Sequence, residues 1–102
     1  MHPVLAAKHD AVAELCRRAG VTRLEVFGSA ARDDFDEARS DIDLLVEFDG
    51  TPRNATLAGF FDLKEALEAL FARPVDLVMP GAVRNPYVKA SINRSRRLIY
   101  GA

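Results

Sequence analysis

The chain has one cysteine, Cys16, in 102 residues. No intramolecular disulfide and no cluster of thiolate metal ligands can form. A lone cysteine reads as a small buried apolar residue and fits a reducing compartment. No apolar run approaches the ~20 residues of a membrane span. His2, Lys8, His9 and Asp10 interrupt any secretory leader pattern at the N-terminus. These absences predict a cytoplasmic protein with no membrane partner. Repeats, low-complexity tracts and linkers are also missing, and the length suits one domain over residues 1–102. The formal net charge is only −1, without the basic surplus of a duplex binder, so nucleic acid is an unlikely major partner.

What is present is ordinary in bulk and uneven in detail. Apolar residues make up 49%, enough to build a core without disulfides or a structural metal. Acids concentrate between Asp33 and Asp49. The segment from Arg84 onward carries Arg84, Lys89, Arg94, Arg96 and Arg97 and no acid.

Val4, Leu5, Ala11, Val12, Leu15, Cys16 and Ala19 recur at helical spacing, and Gly20 follows as a stop signal. Thr22 to Phe27 reads as a strand broken by Gly28-Ser29. A short helical turn over Ala30 to Asp34 and a polar loop over Phe35 to Ser40 come next. Asp41 to Phe48 is the clearest strand. Its period of two puts Ile42, Leu44, Val46 and Phe48 on one face and Asp41, Asp43, Leu45 and Glu47 on the other. A loop over Gly50 to Asn54 precedes a second amphipathic helix from Leu57 to Ala72, stopped by Pro74. Val75 to Met79 is a short strand, read as central. Pro86 can open a last helix that turns Val88, Ile92 and Leu98 toward the core, and Leu98 to Tyr100 can add an edge strand. The expected class is α/β (α+β), a small mixed β-sheet flanked by helices.

Three features carry chemistry. Asp41 and Asp43 lie two apart on a strand, so both carboxylates point to one side. Like charges ~4 Å apart repel by roughly 4 kcal/mol at an effective dielectric of ~20, which a bound cation offsets. Hard oxygen ligands favour Mg²⁺ or Mn²⁺. Asp76 is a charge inside the apolar run Val75-Asp76-Leu77-Val78-Met79. Beside the Asp41–Asp43 strand it would complete a set of three carboxylates suited to in-line phosphoryl or nucleotidyl transfer. Gly28-Ser29 after a strand allows backbone amides and a hydroxyl to approach a phosphate, with Arg32 a turn later. Each feature alone also has a structural reading: a solvated strand face, an ordinary turn, a pairing of Asp76 with Arg73, a surface arginine.

Together, Gly28-Ser29-Ala30-Ala31-Arg32 followed by Ser40-Asp41-Ile42-Asp43-Leu44-Leu45-Val46, with Val75-Asp76-Leu77-Val78 downstream, resemble the signature of the polymerase-β-type nucleotidyltransferases. The short length resembles their minimal nucleotidyltransferase (MNT) group. The resemblance implies the nucleotidyltransferase fold, Mg²⁺ on Asp41, Asp43 and Asp76 as metal-binding and catalytic residues, and the triphosphate of ATP on Gly28, Ser29 and Arg32. It also implies transfer of AMP to a tyrosine of a HEPN-domain toxin, the chain acting as antitoxin in a hetero-oligomer. The sequence departs from the family pattern at Asp33, where many members have glycine. A second reading is a non-catalytic binding module that neutralises its partner by complex formation. Transfer to a small molecule or an RNA end is a third.

Overall fold

The computed structural model describes residues 3–28, 31, 41–49 and 57–101. Strands form where β-branched and aliphatic residues alternate with polar ones. These are β1 (Val21–Phe27), β2 (Ile42–Phe48), β3 (Val75–Val78) and β4 (Arg97–Gly101). They make one mixed sheet in the order β3-β2-β1-β4. β1 runs antiparallel to β2 and to β4, and β2 runs parallel to β3. A parallel pair needs a crossover, and helix α3 (Leu57–Phe71) supplies it. This is the mixed α/β class expected from the sequence. β3, however, lies at an edge of the sheet and not at its centre.

The first helix is broken in two, α1 (Pro3–Ala7) and α2 (His9–Ala19). Lys8 leaves helical geometry at φ −110°, ψ 14°. Just past the break, the His9 Nε2–H donates to the Ile99 carbonyl at 3.0 Å, tying α2 to β4. Gly20 then ends α2 in the left-handed region at φ 73°, the stop its position predicts.

The core lies between the sheet and helices α2 and α3. Val12 and Cys16 from α2 and Leu63, Leu67 and Phe71 from α3 are buried against Leu24, Val26, Ile42, Leu44, Val46, Val75 and Leu77. Cys16 is fully enclosed, and burial pushes its thiol pKa up to about 12, so it behaves as an apolar residue. Among the described residues, no helix is long and apolar enough to cross a membrane.

Among the described residues, the opposite face of the sheet is covered by α4 (Pro86–Ser95) and the 3₁₀ turn Pro80–Ala82. Asn85 caps α4, its Oδ1 accepting from the amides of Tyr87 (2.9 Å) and Val88 (3.4 Å), and Pro86 opens its first turn. Only Ile92 and Ser95 of α4 are buried. Val88 and Leu98, expected to face the core, are 45% and 44% exposed. Alongside the buried Ile92, polar contacts tie α4 to the sheet. Arg96, just past its end, embraces Glu25 of β1. Its Nε donates to Oε2 at 2.8 Å, and its Nη2 donates to Oε1. Arg23 Nε donates to the same carboxylate at 3.0 Å.

Candidate functional site

β2 presents its two faces as the alternation predicts. Ile42, Leu44 and Val46 are buried in the core, whereas Asp41 and Glu47 on the other side are exposed and Asp43 is half-buried. Leu45 shares the acidic side but is buried beneath the elements that cover it.

Registration brings the third aspartate in. Residues paired across parallel strands send side chains to the same face. Asp43 pairs with Asp76, and Ile42 pairs with Val75. Two anchors set this register. The Ile42 amide donates to the Pro74 carbonyl at 3.2 Å. The Val75 amide donates to Glu68 Oε2 at 3.1 Å, fixing the start of β3 to the end of α3. Asp41, two residues before Asp43, flanks the same side. Its edge position leaves Asp76 exposed and open to a large partner.

Gly28 meets this acidic face from β1, whose last residue, Phe27, pairs with Asp43. Its φ is +71°, a conformation that disfavours side chains, and a Cβ built there would stand 2.5 Å from Asp43 Oδ2. Glycine is therefore what lets the Asp43 carboxylate occupy its place. The Gly28 amide, expected to approach an anion, instead donates to Ser95 Oγ at 3.0 Å, and Ser95 Oγ donates to the Ser91 carbonyl at 3.2 Å. Ser95 is 2% exposed and fastens α4 to the turn. Ser29 and Arg32, the other candidate phosphate contacts, lie outside the described residues, as do the turn over residues 32–34 and the loops over 35–40 and 50–54.

Two residues tied to this face escaped the sequence reading, Ser95 and Glu25. Glu25 is a charged residue within β1, yet it is only 4% exposed. Its hydrogen bonds from Arg96, and then those from Arg23, hold its carboxyl below the usual carboxylate range against the opposing effect of burial. The same bonds raise the pKa of Arg96, so this member of the basic C-terminal cluster is engaged within the chain. The only sequence signal for the pair is an acid on a strand, matched by a surplus of arginine far downstream.

The donor set suits a hard divalent cation. It offers only carboxylate oxygens, on adjacent strands in register, with one carboxylate seated against a residue that has no Cβ. The set is not a closed cage. Among the described residues, no three His, Cys, Asp or Glu side chains are already gathered so as to hold a metal ion. Beside the set opens a cleft of about 490 Å³, lined by Phe27, Gly28, Asp43, Tyr87, Val88 and Ser91, with Ile92 at its floor.

Comparison with known proteins agrees with this architecture. Residues 10–99 match the model of the nucleotidyltransferase domain family. A Methanocaldococcus jannaschii protein, named for protein adenylyltransferase activity, is 46% identical over 80 residues, spanning 78% of this chain and 76% of its own. The protein adenylyltransferase MntA of Thermococcus cleftensis is 39% identical over 87 residues, spanning 85% of this chain and 81% of its own. Among solved structures, one described as a minimal nucleotidyltransferase superposes with a TM-score of 0.76 at 39% identity, covering 95% of each chain. The fold also matches a chain from the complex of tri-AMPylated Shewanella oneidensis HEPN toxin with MNT antitoxin. There the TM-score is 0.68 at 17% identity, covering 96% of this chain and 73% of that one.

Proposed function

Because the chain belongs to the nucleotidyltransferase domain family, we propose that it moves AMP from ATP onto a hydroxyl of a partner protein, a tyrosine of a HEPN-type toxin, and so acts as the antitoxin of a pair. The observation that carries this reading is the register Asp43–Asp76, with Asp41 on the same face and Gly28 shaped around Asp43. The names of the curated relatives support a protein as acceptor. The toxin as partner rests on likeness to the HEPN–MNT complex.

In this reading the acceptor oxygen attacks the α-phosphorus, a P–O bond forms, the bond to the β-phosphate oxygen breaks, and pyrophosphate leaves. Asp41, Asp43 and Asp76 would hold Mg²⁺, which when bound supplies charge neutralisation for the triphosphate. Asp43, seated by Gly28, fixes the position of the donor. Asp76, exposed on β3, would receive the proton of an incoming hydroxyl. Ser29 and Arg32 contribute phosphate contacts. Positioning and electrostatics supply most of the rate enhancement.

The test is label transfer in host lysate with Mg²⁺, comparing ATP labelled at the α-phosphate with ATP labelled at the γ-phosphate. One protein band labelled only from the α-position, with the label on tyrosine, is the expected result. Labelling from the γ-position, or of nucleic acid alone, sinks the assignment. Full neutralisation of the partner with no label in any protein favours the binding module.

A further inference from the structure

The wall of the cleft facing Asp43 is chemically unlike the aspartates. It is built on the first turn of α4, where Tyr87 and Val88 both line the cleft and are 85% and 45% exposed. Both side chains are accessible from the cleft that Asp43 also lines. The segment that carries them is firmly set. Asn85 caps it at one end, and at the other Ser95 grips the Gly28 amide and Arg96 grips Glu25. The capped and anchored helix thus places two side chains on a cleft that Asp43 also lines.

A nucleoside triphosphate has the same two-ended chemistry. Its polyanionic end goes to carboxylates with a divalent cation, and its flat aromatic end goes to an apolar surface. We propose that Tyr87 and Val88 form the platform on which the nucleobase of the donor stacks, with Asp43 at the triphosphate end of the same cleft. This rests on the nucleotidyl-transfer reading and adds the base end of the site to it. Stacking uses the face of the ring and not the phenolic hydroxyl, so phenylalanine serves as well as tyrosine. Truncating a base-stacking aromatic weakens binding by about tenfold.

The experiment is calorimetric titration of the full chain, with Mg²⁺, using α,β-methylene-ATP and, separately, inorganic tripolyphosphate, which has no base. Tyr87→Ala should bind the ATP analogue about tenfold more weakly, and Tyr87→Phe should match wild type within about twofold. All three proteins should bind tripolyphosphate alike. The exposure of Tyr87 leaves the fold of both variants intact, which unchanged thermal unfolding checks. Equal analogue binding by Tyr87→Ala and wild type overturns the platform. So does a loss in Tyr87→Phe as large as in Tyr87→Ala, which would place the hydroxyl and not the ring in contact. If wild type binds neither ligand, the nucleotidyl-transfer reading itself fails and the platform falls with it. Binding of both ligands by wild type with no effect of Tyr87→Ala removes the platform alone.

Discussion

Ile42, Leu44 and Val46 leave β2 on one side and vanish into the core, while Asp41, Asp43 and Glu47 leave it on the other and meet solvent. The first face is closed by two helices through apolar contact. On the second, among the described residues, α4 is fastened by a partly buried ion pair and a serine hydroxyl. Seven residues of one strand thus serve two purposes. One side holds the domain together, and the other carries like charges that work against stability unless a cation is present. Stability and activity should therefore respond to different residues of the same strand.

The largest stability effect should come from the closed face. Leu44 is fully buried, so Leu44→Ala should cost about 3 kcal/mol, read as a lower urea midpoint, with any loss of activity following the unfolded fraction. A small effect would mean that the core is less tightly packed than its burial implies. At the seam between the faces, Gly28→Ala places a Cβ against Asp43 Oδ2 at positive φ. It should lower label transfer roughly 100-fold through displacement of the carboxylate, while stability falls by only about 1–2 kcal/mol. Unchanged transfer would detach Gly28 from the site.

On the open face, Glu25→Gln should cost about 2 kcal/mol at pH 7, less than a fully enclosed pair because Arg96 is partly exposed. The Glu25 pKa is lowered by Arg96, so the pair's contribution is present above the ordinary carboxylate value of about 4.3 and is lost as pH falls through the lowered one. The stability gap between wild type and variant should accordingly narrow below roughly pH 4 in urea titrations. A gap that stays constant or widens there would mean that the ion pair is not what stabilises α4 against the sheet.

Much of this division was legible in the sequence, because alternation along Asp41 to Phe48 is local and any strand obeys it. Gly20 as a helix stop and Pro86 as a helix start were legible for the same reason. The rest depends on which elements become neighbours. Val75 to Val78 has the same pattern in the centre of a sheet as at its edge, and nothing within it announces which. Glu25 and Arg96 meet across 71 positions, and Ser95 and Gly28 across 67. Val88 sits at core-like spacing from Ile92, yet α4 touches the sheet mainly at its C-terminal end and leaves Val88 outside.

The separation of the two faces is tested most directly on one variant, Asp43→Asn, by measuring label transfer from α-labelled ATP and the unfolding midpoint in the same preparation. The account predicts that transfer falls about 1,000-fold while the midpoint stays the same or rises slightly, since a like charge has been removed from an open face. Transfer near the wild-type rate, or a loss of activity that only tracks a loss of fold, would contradict it.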